Sequence, residues 1–458
     1  MATKILSVVF ILGLLASITQ ESFAQLTISG QFRPRTELRN GQGAPQVNDT
    51  VPALFTSQRT RINVAYSAYR FKVYTSIQDV RVWGQDASSI NRNTSDANAG
   101  LMLHEAWGEI SLIDTGKVIK NLTLKIGRQE LVYDDVRLLG NLDWLQQARR
   151  HDAALVKFDH KGWTAHLGAA YNQNAERKSN TIYNGTPSGY AASTNGMTSM
   201  YKSMQFLYVA KKLSAGTASL LLFKDDFSKY HFAATDIQKK TPIYEKGVWS
   251  RFTAGGNFFG TAFKKVGIAA SAFYQGGKYR DGSSLNEYLL SLSVSYAVNK
   301  KFSIGPGVDI TSGNNGTDPD KKYQRFDPLY GTPHKFWGFM DYFYVADGFG
   351  SNGLIDYYLK SKYKASDRFT LSLDAHQFEL PNSVMDESGV VLSKTLGTEL
   401  DLTLAYALTK AINMEGGYSS LFSTATLASS QVKNIANADR YSTWAYVMIT
   451  IKPEFTFK

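Results

Sequence analysis

Residues 288–299, YLLSLSVSYAVN, decide the fold. Tyr288, Leu290, Leu292, Val294, Tyr296 and Val298 share one parity, and Ser291, Ser293, Ser295 and Asn299 share the other. A two-residue period of this kind makes a β-strand with one apolar face. The same pattern recurs at 122–126, where Leu122, Leu124 and Ile126 alternate with Thr123 and Lys125. It recurs again at 163–172 and at 396–406, with Leu396, Leu400, Leu402, Leu404 and Tyr406 on the apolar parity. The whole chain reads as about eighteen such segments of roughly ten residues, the length a tilted strand needs to cross a bilayer.

The connections between these segments fall into two kinds. Tight turns are expected at 67–70, 159–162, 211–216, 299–301, 365–367 and 408–410. They alternate with long polar stretches at 40–53, 83–100, 173–200, 226–248, 311–347, 381–394 and 423–439. Short turns at one end and long loops at the other are the pattern of outer-membrane barrels. At the C-terminus Ala445, Val447, Ile449, Ile451, Phe455 and Phe457 share a parity, and this last strand is expected to pair with the first, near 26–38. Closure removes every unpaired edge, which hydrocarbon does not tolerate. The fold predicted is all-β, a transmembrane antiparallel β-barrel of about 18 strands. A secreted propeller would also alternate, but no motif of fixed period recurs.

Composition narrows the class further. Lys4, an apolar run at 5–18 and small residues at 22–24 read as a secretion signal, so residues 1–24 are expected to be cleaved and 25–458 to form the barrel in the outer membrane. After residue 25 no window approaches the roughly 18 uninterrupted apolar residues of a membrane-spanning helix. The chain holds 26 Tyr, 26 Phe, 7 Trp, only 11 Pro and no Cys, which rules out disulfides and thiolate metal sites. Its formal net charge of +11 suggests an anionic partner.

Parity assigns the charges to faces. On the first strand Leu26, Ile28, Phe32 and Leu38 are apolar, and Arg33, Arg35, Glu37 and Arg39 lie on the other parity. On the second, Arg59 and Arg61 oppose Ile62, Val64 and Tyr66. With the apolar face toward lipid, these arginines face the lumen. About two-thirds of the arginines precede residue 160, while the later strands carry mostly Ser, Thr and Asn inward, so one wall is expected to be cationic. Guanidinium rings select anions in pores. The plainer reading is that these arginines pair with Glu37, Glu105 and Glu109 and stiffen the wall.

A denser stretch at 127–152, GRQELVYDDVRLLGNLDWLQQARRHD, is too long and too charged for an idle hairpin loop. It is expected to fold inward, with Arg128, Arg137, Arg149 and Arg150 lining the pore and Asp134, Asp135 and Asp152, with Glu105 and Glu109, anchoring it. Asp134-Asp135 could hold Ca²⁺ but reads more simply as an anchor. His151-Asp152 has no nucleophile beside it to suggest acid–base chemistry. The segment 327–338, DPLYGTPHKFWG, is either a self-packed loop or an aromatic platform for sugar rings.

GRQELVYDDVRLLGNLDW followed by ARRHDAALVKF, with DPLYGTPHKFWGFMDYF further on, resembles the two signature regions of the alginate-export outer-membrane porin family. The resemblance covers essentially the whole chain after residue 24. It implies an eighteen-stranded barrel with an electropositive constriction passing an acidic polysaccharide by diffusion. It also implies a pore-shaping role for Arg128, Asp134, Asp135, Arg137, Arg149 and Asp152. One departure is a tight turn at 406–412, where the alginate exporter carries a long plug. The function expected is a passive channel for anionic solutes, without cofactor or metal. A general porin is the alternative, and a barrel enzyme or a surface adhesin the alternatives of another class. The expected partners are outer-membrane lipid, an anionic oligo- or polysaccharide and the barrel-assembly machinery, with no nucleic acid.

Overall fold

The computed structural model describes residues 24–84, 101–113, 121–173, 201–236, 238, 241–314, 325–345, 349 and 352–457. The first quarter of the sheet is β1 (Gln25–Asn40), β2 (Ala53–Ala68), β3 (Phe71–Val82), β4 (Met102–Ser111) and β5 (Asn121–Gln129). It continues through β6 (His151–His160), β7 (Trp163–Tyr171), β8 (Ser203–Lys212), β9 (Gly216–Phe232), β10 (Pro242–Ala262) and β11 (Val266–Lys278). The remaining strands are β12 (Ser284–Ala297), β13 (Phe302–Thr311), β14 (Leu354–Lys364), β15 (Phe369–Glu379), β16 (Thr395–Ala407), β17 (Ile412–Ser423) and β18 (Tyr441–Ile451, continuing as Glu454–Phe457).

Each strand pairs antiparallel with its sequence neighbours, and both pieces of β18 pair with β1, so the eighteen-stranded sheet closes on itself. Leu26 lies opposite Phe457 and Phe32 opposite Ile451. Between those registers Pro453 interrupts the ladder, and its carbonyl still accepts the Gly30 N–H at 2.9 Å. Proline lacks an amide donor, which is why the strand breaks there.

The faces follow the parity of the sequence. Ile62, Leu167, Leu292 and Val447 point outward and are exposed to the surroundings, as a lipid-facing belt requires. The short turns are fixed by their own side chains: Asn299 Oδ1 accepts the N–H groups of Lys301 and Phe302, while the Ser366 and Thr409 hydroxyls do the same for 368–369 and 411–412. The turn after β16 is therefore tight. Two expectations change. The stretch 226–248 is not a long loop, because β9 and β10 run on through it and leave only 233–241 as a connection. Leu396 does not face lipid: a bulge opposite Phe378 and Glu379 turns it inward, where it is fully buried. Expectations for residues 1–23, 85–100 and 174–200 lie outside the described residues.

Two connections leave the wall and enter the barrel. Residues 130–150, between β5 and β6, and 325–345, between β13 and β14, meet at an isolated parallel bridge between Leu139 and Tyr330 and the hydrogen bonds beside it. Tyr330 N–H donates to Leu138 O (2.9 Å), Gly140 N–H to Tyr330 O (3.0 Å) and Thr332 N–H to Val136 O (2.8 Å). Around it Leu138, Leu139, Phe326, Tyr330, Trp337 and Met340 pack on inward residues of β8 and β9, including Phe206 and Phe223. Burying each such side chain stabilises the assembly by roughly 1.5–3 kcal/mol. A bar of protein thus crosses the lumen on an apolar core.

Candidate functional site

The bar is held at one end by the arginines of β1 and β2. Arg33 and Arg59 are direct cross-strand partners, an arrangement that repels unless a counter-charge intervenes. Asp143 supplies it: Oδ1 lies 2.7 Å from Arg59 Nη2, Oδ2 3.2 Å from Arg33 Nη1, and Arg61 Nη1 is 3.9 Å away. Burial pushes the Asp143 carboxyl up, but the guanidiniums of Arg59, Arg33 and Arg61 outweigh it and bring it down to about 2. Gln146 Oε1 accepts from Arg33 at 3.0 and 3.1 Å. Arg35 donates to the Trp144 carbonyl (2.8 Å), lies over the Trp144 ring at 4.2 Å and pairs with Glu37 at 2.9 Å. Arg61 donates to Gln78 and stands 3.7 Å from Glu130.

The other contacts reach the far walls. Asp134 accepts from Tyr208 on β8 (2.9 Å), Ser219 on β9 (3.0 Å) and Asn257 on β10 (2.8 Å). Arg137 pairs with Asp309 on β13 (2.5 Å) and with Asp135 (3.3 Å), and these carboxylates raise its pKa against the effect of burial. Arg149 donates to the Gly331 carbonyl, and Arg150 lies 3.7 Å from the Met102 sulfur. The 325–345 segment has its own posts. Arg251 joins Asp225 and Asp327, Tyr330 donates to Asp225, and Glu399 and Asp401 accept the N–H groups of Met340 (2.8 Å) and Phe339 (3.3 Å).

Arg33, Arg35, Arg59 and Arg61 face the lumen, as their parity requires, but beneath the bar: their side chains are 4%, 3%, 0% and 11% exposed. Arg128 differs from its expected place. It shares the parity of the exposed Ile126 and pairs across the ladder with Asp152 at 2.8 Å on the outer face, so neither anchors the inserted loop. His151 faces inward and bonds Tyr201 (2.9 Å), which places it on the opposite side of β6 from Asp152. Asp134 and Asp135 have separate partners rather than converging. Glu105 accepts the Glu130 N–H (3.0 Å), close to the loop's start, and Glu109 pairs with Lys157 (3.3 Å) within the wall. Of 327–338, Tyr330 and Trp337 are buried at 1%, which is the self-packed alternative.

Parity missed the acidic residues of the later wall. Asp309, Asp356, Asp374 and Asp401 all point inward on β13 to β16, although the outward Ile355, Tyr357 and Leu359 already assigned Asp356 to the lumen side. Beneath the bar, against this wall, lies a cavity of about 610 Å³.

A family model described as alginate export matches residues 24–438. The chain belongs to the alginate-export family. No curated protein matches it. Among solved structures it is similar to OccAB4 of Acinetobacter baumannii, at 10% identity, TM-score 0.60, covering 94% of this chain and 98% of that one. It is also similar to OpdO of Pseudomonas aeruginosa, at 12% identity, TM-score 0.59 and coverage of 94% and 98%. A third is Pseudomonas aeruginosa OpdK, solved with vanillate, at 9% identity, TM-score 0.57 and coverage of 94% and 99%. These likenesses show the barrel fold. Family and fold are those of outer-membrane transport porins rather than of enzymes.

Proposed function

We propose that the chain is a passive, cofactor-free channel of the outer membrane that favours anionic solutes, with acidic oligo- or polysaccharides such as alginate among them. Family membership supports the polysaccharide, and the charge balance at the bar supports the sign. Five guanidiniums, those of Arg33, Arg35, Arg39, Arg59 and Arg61, have three carboxylates as ion-pair partners, Glu37, Glu130 and Asp143. Among these ion pairs the excess is positive, with Glu105 and Asp341 close enough to offset part of it, and the low-dielectric walls focus the remaining field into the lumen. Residues 1–24 are proposed to direct secretion and to be removed before the barrel-assembly machinery inserts the chain. The inward aspartates of β13 to β16 favour a second reading, a porin of mixed selectivity. Swelling of liposomes carrying the purified protein separates the two. Glucuronate entering several-fold faster than glucose supports the anion channel; equal rates support the mixed porin.

A further inference from the structure

An anion in transit can be held only by cations that water reaches. The four arginines of β1 and β2 do not qualify, since the loop, Glu37 and Gln78 take their hydrogen bonds and their side chains are nearly sealed. At the wall of β13 to β16 the arrangement is reversed. Lys335 and Lys362 are exposed and the Lys360 side chain is 38% exposed, and all three line the cavity of about 610 Å³. Lys360 and Lys362 project from β14 on the lumen parity, two residues apart, and Lys335 comes down from the bar above them.

We propose that Lys335, Lys360 and Lys362 form a seat for a carboxylated sugar, and that these lysines hold the anion in transit and add to the charge preference, while the buried arginines act only through their field. This rests on the reading of the chain as an anion channel.

The neighbours fit that ligand class. Lys362 has Ser303 on one side of the ladder and Ser372 on the other, so its direct cross-strand neighbours carry hydroxyls rather than carboxylates. Lys360 has Gly305 on one side and is paired with Asp374 (3.2 Å) on the other. Lys335 donates to the carbonyl of Asp135 at 3.0 Å, and among the described residues no carboxylate is paired with it. Asp135, Asp309, Asp356, Asp374 and Asp401 line the same cavity, but Asp309 is taken by Arg137, Asp356 by His376 and Asp374 by Lys360, so among the described residues Lys335 and Lys362 are the cations left facing its water. Serines 293 and 295 on β12 offer hydroxyls to hydroxyls, and Phe336 and Tyr358 offer half-buried ring faces to the C–H face of a sugar. The volume is that of a small-molecule pocket, and lysine contacts with water at hand are weak enough to release what they hold.

The test is block of single channels by glucuronate in planar bilayers, with the reversal potential measured in asymmetric KCl. For K335Q/K360Q/K362Q the expected result is about fivefold weaker block and a reversal potential moved toward zero, as three exposed pairs of a few tenths of a kcal/mol each imply. K362E alone, on an exposed position that does not burden folding, is expected to move the potential further in the same direction. An anion-preferring wild type whose triple variant and K362E keep both its potential and its block overturns the seat and leaves the channel reading standing. A wild type that prefers cations overturns both.

Discussion

Asp143 is a single carboxylate between three guanidiniums, and the loop's attachment to β1 and β2 depends on it. Stripping a counter-ion from a fully buried charge costs about 3–5 kcal/mol. Asp143 is 45% exposed, and solvent screening brings the figure nearer 1–2 kcal/mol. D143N is therefore expected to loosen the loop without unfolding the barrel, seen as higher and noisier single-channel conductance. Acid should do the same. The Asp143 pKa is depressed in the folded protein, so its stabilisation is present above the unfolded value near 4 and is lost as pH falls toward about 2. Conductance noise is expected to rise between pH 4 and 2 and to stay flat from 5 to 8. The inward direction of Arg33 and Arg59 was legible from alternation over six or seven residues. Their partners were not, because Asp143 and Gln146 return from some 84 to 113 positions away, and no local pattern carries that distance. Arg128 was expected in the pore, although the parity of Leu122, Leu124 and Ile126 already pointed it outward.

At the scale of elements, the inserted loops keep their shape through backbone conformations that few residues favour. Val136 sits at φ 67 and Trp337 at φ 59, each costing on the order of 1–3 kcal/mol, and Val136 is β-branched. The backbone hydrogen bonds to 330–332 and the apolar core offset that cost. At Gly331 an added Cβ would fall 2.0 Å from the Arg137 carbonyl, so only glycine lets the two loops touch. G331V is expected to part them and to raise protease sensitivity within 130–150 while the barrel resists heat as before. Deleting 132–141 should enlarge conductance in an assembled barrel; unchanged conductance would mean that the bar does not limit flow. The length and charge of 127–152 announced a folded insert. The extension of β9 and β10 was hidden because Asp225, Asp226 and Lys229 make the stretch look like solvent-exposed loop, whereas Asp225 is the buried partner of Arg251.

For the molecule as a whole, the order of strands and the closure through Phe455 and Phe457 were readable because a bilayer imposes both strand length and the absence of edges. The contents of the lumen were less so. Inward positions answer to loops that arrive from elsewhere, and Glu399 and Asp401 make sense only once the 338–340 backbone lies against them. With short turns toward the periplasm, a tag placed in 381–394 is expected to be cut by protease on intact cells and one in 211–216 to be spared; the reverse would invert the barrel. The channel's preference for anions is tested most directly by the reversal potential of the purified wild-type protein across a planar bilayer with a tenfold KCl gradient. An open pore with a potential of the sign set by chloride is the expected result. A pore that follows potassium, or a folded protein that conducts nothing, would contradict it.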